Sequence, residues 1–459
     1  MSCNTLPRLT LSAALLLAAG APPAAWARAS ASDAEQLGKS LTCFGAEKAG
    51  NKDGSIPEYS GKWLGAPAGV AYKGAGSYSP DPYAGEKPLY VVTAQNMAQY
   101  ADKLSDGQKA LLQKYPASYK LPVYPSHRDF RPADWRCERS KENALKAELV
   151  DDGLGVKGVR GTAPFPLPKS GLELLWNMNL PARAAQEDAI YDQAVVYPNG
   201  NIARGRTAYR ILSGSNDPEA PKETDGVSTN FNTKTLAPER NKGEIIVGQE
   251  YFNYKTNPRG AWQYSPGTRR VRQLPSFGFD MPQGPGGFRT VDDDRLFNGS
   301  PERYDWKIAG KREMLIPYNV FRIDDPRHKY GEMLTPGHLN PDVTRYELHR
   351  VWVLEATLKN GFRHQYAKRV LFIDEDSWQA MQADNYDARG QLWRVSMVHT
   401  SYEYTGQITQ ARVAVFHDLV SGAYLADRLI NEAERAPLVN GGTLKPAMFA
   451  PEAAREDGR

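Results

Sequence analysis

Seven histidines, a run of three aspartates and a pair of cysteines are the residues whose types admit chemistry. The histidines are His127, His328, His338, His349, His364, His399 and His417. None has the HExxH spacing that puts two imidazoles on one helix face around zinc. His349 and His364 fall on two stretches that read as facing strands, where a pair of imidazoles could ligate a metal. The commoner use of isolated strand histidines is hydrogen bonding alone, so no metal is expected. Asp292, Asp293 and Asp294 could bind a hard cation such as calcium, or form a solvated turn. The expectation is ion pairing with Arg269, Arg270 and Arg272, because aligned Arg–carboxylate pairs fix geometry. Asn51–Ser55 has oxygens at alternate positions but lacks the rest of a calcium loop, and reads as a turn. There is no G-x-S-x-G elbow, P-loop or dinucleotide fingerprint, and QGPGGF at Gln283–Phe288 reads as a loop. The chain therefore offers no catalytic residue and no cofactor motif, and it does not read as an enzyme. A metal-dependent hydrolase is the weakest of the alternatives.

The elements that would position any site are mostly strands. Arg345–Leu358 alternates apolar and polar residues, with a slip near Arg350–Trp352, which marks a strand with one wet and one dry face. Lys359-Asn360-Gly361 turns into Tyr366–Ile373, and Asp387–Gly390 turns into Gln391–Val398. Glu244–Tyr254 and Ala261–Leu274 repeat the pattern around Asn257–Gly260. Strands run from Tyr191 to about Met397, broken by a polar loop at Ser213–Thr229, and the pair Gln407–Asp418 and Ala423–Asn431 follows. Asn96–Leu104 reads as the clearest helix, capped by Thr93, followed by Gln108–Tyr115, Pro132–Leu149 and Leu172–Met178. The fold class predicted is mainly β with some α. Residues 28–150 form a loop and helical segment packed on the sheet, and 151–435 form the sheet itself. Residues 436–459 form a tail. So aromatic a sheet needs a cover. Trp262, Tyr264, Phe277, Trp352, Leu354, Phe372 and Trp393 are expected to wall an apolar cavity or fill the core beneath the helices.

The 459 residues carry 40 glycines and 33 prolines, favouring turns over long helices. A net charge of +4, spread along the chain, does not point to nucleic acid. At the N-terminus, Arg8, the apolar run Leu9–Ala19 and Ala25-Trp26-Ala27 match a secretory signal cleaved after Ala27. No later stretch is long and apolar enough for a membrane helix, so the mature chain is expected in the periplasm, with a peripheral place on the outer membrane as the alternative. Cys3 leaves with the signal. Cys43 and Cys137 then form either one disulfide, as an oxidising compartment favours, or two buried thiols. The disulfide would close a loop of about 90 residues and contribute roughly 4 kcal/mol.

The runs NKDGSIPEYSG, VYPSHR, FPLPKSGLELLWN, WQYSPGTRRVRQLPSFGFD, ERYDWKIAGKREMLIPYN, HLNPDVTRYELHRVWVLEATLK and RHQYAKRVLFIDEDSWQAMQADNYDARGQLWRV resemble a family of exported Gram-negative proteins, domain-of-unknown-function family 1329. The resemblance extends over roughly Leu41–Asn431. It implies a fold similar to the outer-membrane lipoprotein-sorting carriers, a curved antiparallel half-barrel with helices over its concave face. It also implies an acyl chain or other lipid between sheet and helices. A resistance-nodulation-division transporter and an outer-membrane β-barrel are the implied partners, and no catalytic residues are transferred. The leading expectation is thus a periplasmic carrier or accessory protein for a lipid-like molecule. The competing one is a ligand-free docking protein of the envelope.

Overall fold

At Pro198-Asn199-Gly200-Asn201 the chain reverses between two long strands, with Gly200 at φ 83° taking the left-handed conformation that other residues avoid. Turns of this kind build most of the molecule. The computed structural model describes residues 1, 29–219, 226–275 and 277–458. The expected secretory signal lies outside them. Sixteen strands join one sheet that does not close into a barrel. They are β1 (Tyr90–Val92), β2 (Leu121–Val123), β3 (Gln186–Val196), β4 (Ile202–Leu212), β5 (Val227–Ala237), β6 (Ile245–Tyr251), β7 (Gly260–Ser265) and β8 (Arg270–Gln273), then β9 (Tyr304–Pro317), β10 (Tyr346–Leu358), β11 (Lys368–Asp374), β12 (Ala380–Tyr386), β13 (Leu392–Glu403), β14 (Ile408–Asp418), β15 (Tyr424–Leu429) and β16 (Leu438–Val439).

Strands β10 to β15 form one antiparallel meander and β3 to β8 another. The late strand β15 joins them by pairing with β3, Leu425 opposite Val195. β9 lies along the far edge of β10. One parallel contact, Tyr346 with Val123, brings in β2 and makes the sheet mixed.

Helices cover the sheet. They are α1 (Asp106–Lys114), α2 (Asp134–Lys146), α3 (Gly171–Asn179) and α4 (Pro451–Asp457). Ser170 caps α3 by accepting from Glu173 N at 3.2 Å. Leu174, Leu175 and Met178 of α3 bury themselves against Leu354, Leu371, Phe416 and Leu425, and we call this side of the sheet its inner face. Gly171 lies so close to the Trp306 carbonyl that a Cβ would overlap it. The glycine is what lets the helix start against the strand. Asn177 bonds both the amide and the carbonyl of Phe165, at 2.7 and 2.5 Å, and ties the Pro-rich lead-in to the helix.

Four expectations fail, each for a physical reason. Met97–Lys103 is a 3-10 helix, and Ser105 is the true cap: it and Gln108 form a reciprocal capping box at the start of α1. The tail from residue 436 instead contributes β16, which pairs with β3, and α4, whose Ala454 is buried against Tyr264. The loop at Ser213–Thr229 is shorter than read, since β5 starts at Val227. Most consequentially, the wet face of Arg345–Leu358 is dry over its first half, Arg345–His349. Arg345, Glu347 and His349 are all buried, with Arg345 Nε on Glu347 at 2.6 Å and His349 Nε2 on the same carboxylate at 3.0 Å. Covering segments on both sides of the sheet remove the solvent that alternation implies.

Burial also sets a pH dependence. His399 is enclosed, and its Nδ1–H donates to the Val413 carbonyl at 3.2 Å. Burial lowers the imidazole to about 4, with that hydrogen bond opposing. The unfolded chain binds the proton first, so the stabilisation is complete above pH 6.5 and is lost as pH falls toward 4. His399→Gln is therefore expected to flatten the acid side of the stability curve by up to about 1.4 kcal/mol per pH unit over that window. Urea midpoints of both proteins at several pH values measure it. Parallel curves would refute the assignment.

Candidate functional site

The register carries the inner face beyond α3. Val195 is opposite Ala203, Tyr209 opposite Thr233, Thr233 opposite Ile246 and Ile246 opposite Gln263. Because side chains alternate along each strand, these residues share the face that bears Leu425 and Leu354. Among the described residues no α-helix fills this second half. Residues 281–289 pass over it as a strap, and between strap and sheet lies a cavity of about 960 Å³. Its wall mixes Tyr191, Tyr209 and Ile246 with Thr207, Thr233 and Gln263, and the strap adds Pro282 and Pro285. Charged groups sit at its inner end. Arg289 meets Asp427 at 3.1 Å, and Arg428 meets Asp294 at 3.2 Å and Tyr209 Oη at 3.3 Å. Burial pushes the Asp294 carboxyl up, but Arg428, Arg289 and Arg295 together hold it well below the usual carboxylate range.

None of the seven aromatic and apolar residues singled out from the sequence is among those lining this cavity. Leu354 is fully buried under α3, with Trp352 half-buried beside the same cluster. Phe372 projects from the side of β11 opposite to Leu371, among Met314, Val351 and Met381. Trp262 and Tyr264 face α4 on the outer side, since Gln263 between them faces the cavity. Phe277 stacks on Phe231 with ring centroids 6.0 Å apart. Trp393 abuts Tyr366 and donates to Asp418 at 3.1 Å. The residues that do line the cavity include threonines, glutamines and tyrosines at alternate strand positions, with Arg204, Arg240 and Glu244 among them as further charged groups. Their signal in the sequence is only the regular spacing of Thr207 and Tyr209, Thr233 and Thr235.

The aspartate run does form ion pairs, but not with the arginines expected. Arg269 and Arg270 are exposed in the β7–β8 turn, where Arg269 takes φ 53°. Asp292 and Asp293 are buried and share Arg369 Nη2 at 3.2 and 3.1 Å. His364 Nε2 lies 3.0 Å from Asp292. It thus belongs to this network, while His349 belongs to Glu347, and the two histidines are not paired around a metal. Cys43 and Cys137 are joined as a disulfide, Cα atoms 5.1 Å apart, linking the N-terminal segment to α2.

His349, Asp374 and Asp376 offer one donor atom each within 4.8 Å of one another. The group is poorly suited to an ion. Arg128 already grips Asp376 through Nε at 2.7 Å and Nη2 at 2.8 Å, and Ser377 N and Oγ occupy Asp374 at 3.0 and 2.5 Å. Burial and the neighbouring Asp376 push the Asp374 carboxyl up, which disfavours its charged form, and the Arg128 guanidinium already offsets the charge of Asp376. Among the described residues no helix is long and apolar enough to cross a membrane.

Three solved structures align with the chain at 14% identity. They are an outer membrane lipoprotein-sorting protein domain from Vibrio parahaemolyticus (TM-score 0.40, 59% of this chain and 92% of that one), a DUF1329 family protein from Desulfovibrio piger (0.39, 59% and 92%) and a LolA superfamily protein, NE2245, from Nitrosomonas europaea (0.36, 62% and 100%). The uncharacterized protein PA3922 of Pseudomonas aeruginosa is 42% identical over 438 residues, 94% of each chain. The model of the family described as protein of unknown function (DUF1329) matches residues 91–455. The chain belongs to the DUF1329 family.

Proposed function

We propose that the protein is an exported carrier that holds a lipid-like amphiphile between the inner face of its sheet and the 281–289 strap. The observation that supports this is the cavity of about 960 Å³, at the upper end of the roughly 300–1,000 Å³ typical of ligand sites. Its wall suits an amphiphile better than a pure hydrocarbon, because threonine and glutamine side chains alternate with tyrosine rings and proline. The disulfide fits an oxidising compartment such as the periplasm. A resistance-nodulation-division transporter and an outer-membrane β-barrel enter as partners from the family resemblance alone.

The test is to purify the mature protein without detergent, extract it with organic solvent and analyse the extract by mass spectrometry, alongside titration with a fluorescent apolar probe. A stoichiometric amphiphile, or saturable one-to-one probe binding, is expected. Thr235→Trp, which fills the cavity from a half-buried wall position, should abolish probe binding and leave the fold intact. An empty extract together with no saturable binding would sink the carrier.

A further inference from the structure

We infer that the ligand of this cavity carries an anionic head, a carboxylate or a phosphate, received by Arg183 and Arg295. The inference rests on the carrier reading and deepens it. A recess of about 30 Å³ whose wall holds three cations, Arg183, Arg295 and Arg428, and one carboxylate, Glu187, adjoins the cavity, since Arg428 lines both. The carboxylates in and near the recess have donors other than Arg183 and Arg295. Glu187 accepts from Tyr191 Oη at 2.7 Å and Gln410 Nε2 at 2.9 Å, Asp427 takes Arg289, and Asp294 takes Arg428. Among the described residues, neither Arg183 nor Arg295 has a carboxylate within 4.0 Å.

Arg183 Nη2 donates only to the Asn179 carbonyl, at 2.5 Å, and its buried Nε has no partner. Two guanidinium groups sharing one recess with so little anionic compensation repel each other and lose hydration. Burial, and then Arg295, lower Arg183 to about 9. Arg295 also sits at φ 54°, a left-handed conformation that glycine would adopt without cost. Unpaired cations and an unfavourable backbone at one recess are what an anion receptor requires of its empty form, because a planar guanidinium pair matches carboxylate or phosphate oxygens. The apolar tail would then lie outward, along Ile246 and the strap.

The experiment compares dodecyl phosphate, dodecanoate, dodecanol and inorganic phosphate by calorimetry at low salt, on the mature chain and on Arg183→Gln, Arg295→Gly and their double variant. Arg295→Gly guards against misfolding, since glycine relaxes that position. Dodecyl phosphate or dodecanoate is expected to bind at least about tenfold more tightly than dodecanol. Each substitution should weaken the anionic ligands about 10- to 100-fold and leave dodecanol within about twofold. Dodecanol binding as tightly as both anions would overturn the arginine site and leave the carrier standing. Inorganic phosphate binding as tightly as dodecyl phosphate would overturn the amphiphile while supporting the arginine site. No binding by any of the four would overturn both.

Discussion

Arg369→Met is expected to cost about 3–5 kcal/mol of stability, because it strands two buried carboxylates. In the native protein Asp292 also accepts from Thr290 Oγ1 at 2.7 Å, and Asp293 from Thr290 N at 2.9 Å and Tyr366 Oη at 3.3 Å. These neutral donors cannot replace the guanidinium charge. Burial pushes the Asp292 carboxyl up, and Arg369 with His364 more than offsets it, holding the group well below its ordinary range. The stabilisation from that lowering is therefore present above about pH 4 and lost as pH falls through the lowered value. Without Arg369, burial dominates and the carboxyl takes up a proton at higher pH. The deficit of the variant should consequently shrink between about pH 8 and about pH 5. Adding Asp292→Asn and Asp293→Asn should recover most of the loss. Chemical denaturation of the three proteins reads all of this, and a cost for Arg369→Met below about 1 kcal/mol would mean the network behaves as a solvated surface pair.

The second large effect concerns the disulfide. Its half-cystines are 94 residues apart, and a loop of that length limits the unfolded chain by roughly 4–5 kcal/mol in the chain-entropy description. Cys43→Ala/Cys137→Ala is expected to lower stability by that amount, and reductant should bring the wild type to the same urea midpoint while leaving the variant unmoved. A loss under about 1 kcal/mol would show that the segment is held by packing alone, through contacts such as Trp378 Nε1 to the Phe44 carbonyl at 2.9 Å.

The antiparallel strands were legible because period-two alternation and Asn-Gly turns are local signals: Tyr346–Leu358 and Ile408–Asp418 lie close to where the pattern puts them. What covers them was not. Glu347 and His349 look like a solvent face in one dimension, but His127, about 220 residues away, donates to Glu347, while Tyr318 stacks on His349 and Asn319 bonds Glu347, and together these make them interior. The same holds for the aspartates, whose arginine could not be chosen from sequence proximity. The site was the least readable part. An aromatic-rich chain suggests an aromatic cavity, yet Trp262 and Leu354 serve the core, and the cavity wall is assembled from residues that six strands bring into register. Arg183, set among Pro181, Ala182, Ala184 and Ala185, was a lone charge in small apolar surroundings, the one local hint of the recess.

The seam between β15 and β3 has a consequence for how the molecule is made. The strand that joins the two meanders is synthesised after every other strand of both. Until Tyr424–Leu429 emerges, each half ends in an unpaired edge, and the pairing that closes the gap spans more than half the chain. Such long-range closure is slow. A newly made chain thus keeps both edges open until that strand arrives, and the sheet becomes whole only when the two meanders are already in place.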